Sequence, residues 1–183
     1  PGLKVVYPST PEDAKGLMIA ALEDPNPVMY FEHKALYRSI SGMVPEGYYT
    51  IEIGKARKVQ SGNDVSVITY GSGVHWILDY AKKHPELSID ILDLRTLLPL
   101  DYDAIRESVL QTGKVLILHE DTLIGGLGGE ISAWITEHCF EHLDAPVLRC
   151  ASLDTPVPFA IELEQQFMAK SRLHEAMQRL LNY

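Results

Sequence analysis

The sequence predicts an α/β protein, a doubly wound and mostly parallel sheet preceded by a partial α/β unit. Short apolar runs recur at 65–70, 89–94, 115–118 and 147–150, and amphipathic helical patterns lie between them. That alternation calls for right-handed crossovers, hence parallel pairing with helices on both faces. Ahead of it stands a strand-helix-strand unit of about thirty residues, the size of one βαβ repeat and too small to bury both faces of its own sheet.

Leu3, Val5 and Val6 open as a strand. Ser9-Thr10-Pro11-Glu12-Asp13 then supplies an N-cap, a proline at the first helical position and early acids. Ala14, Leu17, Met18, Ala21 and Leu22 recur at helical spacing until Asp24-Pro25-Asn26-Pro27 removes backbone donors and stops the helix. Residues 28–31 form a short strand. Scattered glycines and Pro45 without periodicity over 32–54 suit a crossing segment. We therefore place the tail of a first domain at 1–40, a linker at 41–54 and a second domain at 55–183.

Within the second domain a strand over 56–60 precedes the turn Gly62-Asn63-Asp64. Val74, Ile77, Leu78 and Ala81 form one helical stripe, and Ile105, Val109 and Leu110 form another that ends before Gly113, a left-handed cap. Ile131, Trp134 and Ile135 mark a third. Ser171 is a cap candidate for a last helix that turns Leu173, Ala176, Met177 and Leu180 inward, as Ser72 is for the helix after the first core strand.

The composition, 46% hydrophobic and 22% charged, is ordinary for a globular protein, and no apolar run approaches the ~20 residues that cross a bilayer. A net charge of −9 argues against nucleic acid and favours a basic protein partner. Cys139 and Cys150 lack CxxC spacing, which disfavours zinc and suits free thiols in a reducing cytoplasm. The opening Pro-Gly-Leu-Lys-Val-Val has neither an initiator Met nor a signal-peptide layout, so a fragment or processed chain is expected.

Three constellations could carry chemistry. Gly125-Gly126-Leu127-Gly128-Gly129 sits between a strand and a helix, where a phosphate cradle would be, but Ile131 stands where a dinucleotide fingerprint wants glycine, and the Walker ending is absent. A tight loop and close approach of another chain or domain is the alternative, with the helix N-terminus still able to attract an anion. Ser72, Asp93 and His119 follow successive strands in the order of a hydrolase triad, yet Tyr70-Gly71-Ser72-Gly73 is no nucleophile elbow. His119-Glu120-Asp121 lies at a carboxyl strand end, where open α/β sheets bind ligands; without H-E-x-x-H spacing it reads as the polar lining of an interface or cleft. His33 and His75 read as surface or interface residues.

Strings spread over the whole chain resemble the β subunits of the thiamine-diphosphate-dependent 2-oxoacid dehydrogenase decarboxylase component. They are 1–6 with Pro8-Ser9-Thr10-Pro11, Asp13-Ala14-Lys15-Gly16-Leu17, Glu23-Asp24-Pro25-Asn26-Pro27, Ile53-Gly54-Lys55-Ala56, Asp93-Leu94-Arg95-Thr96-Leu97, His119-Glu120, Gly125-Gly126, Ala145-Pro146 and 154–158. Phe31-Glu32-His33-Lys34 with Leu36-Tyr37-Arg38 looks more like the branched-chain (2-oxoisovalerate) type than the pyruvate type.

The resemblance implies a pyrimidine-binding domain followed by a transketolase-type C-terminal domain. It implies oxidative decarboxylation with acyl transfer to lipoamide by the whole enzyme, the cofactor supplying the electron sink. The family's catalytic histidine and cofactor-activating glutamate would lie before Pro1, and the magnesium-diphosphate site on the α subunit or α half. No catalytic or cofactor-binding residue maps onto this chain. A structural potassium site would map to Ala21, Asp24 and Asn26, where helix-end carbonyls are orphaned acceptors; a proline-terminated helix without an ion is the alternative. Beyond the α subunit and a second β subunit, the implied partner is the small basic subunit-binding domain of the dihydrolipoyl acyltransferase, docking on Phe140, Asp144 and Tyr183, with Glu137 and Glu141 adding negative charge. Against that stands a solvated acidic face with Phe140 in the core. The rivals for the whole are the pyruvate type and a non-catalytic docking module, with transketolase or deoxyxylulose phosphate synthase disfavoured by 154–158.

Overall fold

The computed structural model describes residues 2–183; Pro1, which opens the first resembling string, lies outside them. Two sheets form. The larger has the order β3-β5-β4-β7-β8, built from β3 (Arg57–Gln60), β4 (Val65–Thr69), β5 (Ile89–Asp93), β7 (Val115–Thr122) and β8 (Leu148–Ser152). Four of these run parallel and only the edge strand β3 is antiparallel. The fold class expected from the sequence is the one observed.

Strand alternation divides the core between the two faces. Val65, Val67, Leu116 and Leu118 point to one side, under α3 (Ser72–Lys83) and α7 (Leu173–Leu181), with Ile77, Met177 and Leu180 closing that layer. Ile68, Leu92, Val115 and Ile117 point to the other, under α4 (Tyr102–Thr112) and α5 (Gly128–Cys139), against Ile105, Val109, Ile131 and Ile135. Burial on both faces is why these strands read as continuous apolar runs.

The smaller sheet has the order β2-β1-β6, with β1 (Lys4–Val6) parallel to β2 (Val28–Tyr30) and antiparallel to β6 (Thr96–Leu98). Between β1 and β2 runs α1 (Pro11–Glu23), whose N-cap Thr10 accepts the Asp13 N–H at 3.2 Å. The periodicity reading missed β6, because three residues carry too little pattern. It also missed the four-residue helix α2 (Leu36–Ser39) and α6 (Ile161–Phe167).

Several inward and capping assignments need correction. Leu22 and Leu110 are exposed; on α4 the buried place falls to Ser108, whose hydroxyl donates to the buried Asp90 at 2.5 Å. Ser72 and Ser171 cap nothing: Gly71 and Arg172 hold those positions, and Ser171 donates to the Met168 carbonyl instead. Gly113 does end α4 at φ 66°.

A buried polar network fastens the small unit to the large sheet. Asp13, on the first turn of α1, receives Arg95 Nη1 at 3.1 Å and Arg57 Nη1 at 3.3 Å. Arg57 Nη2 also lies 3.5 Å from Asp93, which accepts the Ser9 hydroxyl at 2.5 Å. Burial pushes Asp93 up to about 6, against the pull of Ser9 and Arg57. Arg95 takes φ 54°, turning the chain from β5 into β6 so that its guanidinium reaches back to the Lys55 and Ala56 carbonyls. The segment between the two units is anchored too: Ile51 N–H donates to the Gly16 carbonyl at 3.1 Å.

Gly16, in the middle of α1, is explained by that contact. A Cβ there would stand 2.6 Å from Ile51 Cγ1 and 2.8 Å from Tyr49 Cε2. Helix propensity favours Gly16→Ala by about 1 kcal/mol, whereas overpacking costs about 1–3 kcal/mol. We expect the clash to win and urea unfolding to show a net loss of stability; a more stable G16A would refute the close packing of 49–51 on α1.

Candidate functional site

From β4 the chain crosses outward to β5, and from its neighbour β7 it crosses the other way to β8, so the sheet has its topological switch point at the β4/β7 carboxyl ends. Tyr70-Gly71-Ser72 and His119-Glu120-Asp121 converge there, and the small unit overhangs them with Tyr7 after β1 and His33 beyond β2. Gly71 takes φ 55°, and a Cβ on it would meet the Tyr7 ring at 2.9 Å. Glycine is thus required both by the turn into α3 and by the approach of Tyr7.

Glu120 is the hub. Its Oε2 accepts Ser72 Oγ at 2.9 Å and His33 Nε2 at 2.8 Å. The Ala35 N–H donates to His33 Nδ1 at 3.2 Å, which leaves the proton on Nε2 and fixes the tautomer. The hydrogen bond from Glu120 raises the His33 pKa. Burial alone would raise Glu120, but His33 and Ser72 more than offset it and hold its carboxyl below the ordinary range. Nearby, His75 Nε2 donates to the Ser9 carbonyl at 2.7 Å, so both histidines lie at the seam between the units, as expected.

His119 does not line the cleft mouth. It is wholly buried, its ring stacks on Tyr70 at 6.3 Å, and neither ring nitrogen has a partner. Burial lowers its pKa and keeps it neutral. The glycine-rich loop wraps this ring: a Cβ on Gly126 would stand 2.8 Å from His119 Cε1, and one on Gly128 would collide with Nε2. The loop therefore closes over a side chain of its own domain, and the space a phosphate cradle would need is filled.

The hydrolase constellation does not assemble. Ser72 bonds Glu120, Asp93 bonds Ser9 and Arg57, and no hydrogen bond joins any two of Ser72, Asp93 and His119.

At the end of α1, Asp24 Oδ1 accepts the Asn26 N–H at 3.0 Å, while Oδ2 is paired with the Lys4 ammonium. A potassium ion beside Ala21, Asp24 and Asn26 would compete with Lys4 for that oxygen. Among the described residues no group of three or more His, Cys, Asp or Glu could hold a metal ion. With the glycine loop closed over His119 as well, the described residues do not fit magnesium diphosphate.

The docking candidates lie away from that site. Phe140 is 73% exposed in a short 3-10 turn, not in the core. Asp144 N–H donates to the Gly113 carbonyl at 2.8 Å, and the adjacent Lys114 reaches the Leu181 carbonyl at 3.4 Å, two residues before the exposed Tyr183. Asp144 thus lies against the amino end of β7, while Phe140 ends the helix on one face of the sheet and Tyr183 follows the helix on the other. The residues that sequence reasoning missed are Tyr7, Tyr70 and the His33–Glu120–Ser72 bridge. Partners 48 and 87 positions apart leave no local signal.

The family model described as the transketolase C-terminal domain matches residues 54–172, and that of the transketolase pyrimidine binding domain matches 1–39. The 2-oxoisovalerate dehydrogenase subunit beta of Bacillus subtilis is 48% identical over 99% of this chain and 56% of its own length. The pyruvate dehydrogenase E1 component subunit beta of the same organism is 46% identical over 87% of this chain and 50% of its own length. The chain spans about half the length of the curated relatives it matches. A solved structure described as a split gene transketolase, inactive beta4 tetramer, superposes with a TM-score of 0.78 over the whole chain and 58% of its own, at 24% identity, a likeness of fold.

The bridge has a defined pH window. The raised His33 contributes stability that is full below its unfolded value of 6.5 and fades as pH rises through its folded value. The lowered Glu120 contributes above its unfolded 4.5 and fades as pH falls through its folded value. Both act between 4.5 and 6.5. His33→Gln should lower stability there by about 1 kcal/mol or less, since the pair is partly solvated, and by less at pH 8. A loss of equal size at both pH values would show that the ion pair adds nothing.

Proposed function

Because the chain belongs to the family of transketolase C-terminal domains, we propose that it serves as the C-terminal part of a β subunit of a thiamine-diphosphate-dependent 2-oxoacid dehydrogenase. The observation that carries this reading is the 48% identity to a 2-oxoisovalerate dehydrogenase β subunit along 99% of the chain, with the Phe31-Glu32-His33-Lys34 string inside the matched region. Its reaction in the whole enzyme is the oxidative decarboxylation of branched-chain 2-oxoacids with acyl transfer to lipoamide. The 46% identity to a pyruvate dehydrogenase β subunit favours pyruvate as the second reading of the substrate.

In this reading the chain contributes scaffold and contact surface to an assembly with an α subunit or α half and a second β subunit. Thiamine diphosphate and magnesium belong to the intact enzyme, in the cytoplasm; a potassium ion at Ala21, Asp24 and Asn26 would have to displace the Lys4 ammonium from Asp24, so the ion-free helix end is the reading the pairing supports. Support for the limited role comes from the site itself: Ser72 and His33 both bond Glu120 Oε2, a bridge that holds the two units together. Titrating thiamine diphosphate with magnesium into the 183-residue chain should give no saturable heat. Tight binding would overturn the assignment of the chemistry to groups outside these residues.

The surface around Phe140, Asp144 and Tyr183 is the proposed dock for the basic subunit-binding domain of the acyltransferase. An exposed aromatic beside carboxylates can anchor apolar contact while the charge steers approach. Phe140→Ala should weaken binding of that domain about tenfold or more, mostly through faster dissociation. Asp144→Asn should weaken it less and reduce its dependence on salt. Unchanged affinity in F140A would remove this surface from the interface.

A further inference from the structure

A cavity of about 450 Å³ opens beside the switch point, between the small unit, the end of β7 and α6. Four aromatic rings line it, Phe167 of α6 and, from other parts of the chain, Tyr7, Phe31 and Tyr70. Tyr7 sits between the last two, 6.2 Å from Phe31 at 43° and 5.7 Å from Tyr70 at 49°, so these three rings are tilted and do not mask one another's faces. The charged residues that line the cavity are all acids, Glu120, Asp121 and Glu164.

These groups keep unused capacity. Glu120 engages Ser72 and His33 through Oε2 alone, Asp121 accepts the Thr122 N–H through Oδ1 alone, and the Glu164 side chain has no partner. Tyr70 is only 7% exposed, yet its hydroxyl makes no hydrogen bond within the described residues. The phenols stay neutral: burial foremost, then Glu120, pushes Tyr7 up to about 12, and burial foremost, then Asp121, raises Tyr70.

Ligand classes can be compared on this lining. An anion would face three carboxylates and no cation. A metal ion would find no set of three ligating side chains among the described residues and would gain little from aromatic walls. An organic cation with an apolar stem satisfies both halves, the ring faces attracting its charge and the carboxylates taking its N–H groups. We propose that the Tyr7–Phe31–Tyr70 cavity is a binding site for an organic cation of the size of an arginine side chain.

Arginine's planar guanidinium suits the walls, since it stacks on aromatic faces and donates in the plane to carboxylates. Calorimetric titration of the 183-residue chain tests the proposal, with N-acetylargininamide against N-acetylcitrullinamide, which has nearly the same shape and no charge. The arginine probe should saturate at millimolar concentration or below and bind at least tenfold more tightly than the citrulline probe. Asp121→Asn and Glu164→Gln, both at exposed positions and expected to fold normally, should each reduce that preference severalfold, and Tyr7→Leu should abolish it. Equal binding of the two probes, no saturation with the arginine probe, or an unchanged preference in D121N and E164Q with native circular dichroism would each overturn the site.

Discussion

Asp13 is held by two guanidiniums from the opposite unit, and the rest of the molecule depends on that grip. The strand-helix-strand unit has three-residue strands, so its hold on the large sheet leans on this network and on the pairing of β1 with β6. Removing one partner of a buried ion pair costs about 3–5 kcal/mol because the other charge is stranded. The arrangement is therefore self-enforcing: Arg57 must answer both Asp13 and Asp93, and Arg95 can serve Asp13 only from its left-handed backbone position. Ser9 completes the set by donating to Asp93 just ahead of the helix it precedes.

From this grip follows the character of the carboxyl edge. A switch point in an open α/β sheet is ordinarily a vacant crevice. Here Tyr7 and His33 hang into it, Glu120 accepts from His33 and Ser72, and the adjacent glycine loop folds over His119. Groups that could have been reactive are used for cohesion. The polar cost is concentrated in His119, which is buried with both nitrogens idle and held neutral by its surroundings. What remains open is the flank, where aromatic rings and carboxylates share one cavity.

Much of the architecture was legible in the sequence. The core strands announced themselves because both faces are buried, and Gly113 and Thr10 announced helix ends through backbone chemistry that is local by nature. Two kinds of feature escaped. Elements of three or four residues, β6 and α2, are shorter than any period that could reveal them. Side-chain pairings across dozens of residues leave no trace either, so Ser72 looked like a cap when its hydroxyl serves Glu120, and His119 looked like cleft lining when it is core. The composition could not tell an exposed Phe140 from a buried one; only the 3-10 turn that ends α5 decides it.

The pairing of β6 with β1 means that a strand from residue 96 onward completes a sheet begun at residue 4. The two halves are interlaced rather than strung in series, so the exposed stretch around Met43 is a tether whose integrity the fold does not need. A protease that severed it would leave both pieces locked in one particle, and a genetic rearrangement that joined the ends elsewhere could dispense with that crossing while keeping the sheets intact.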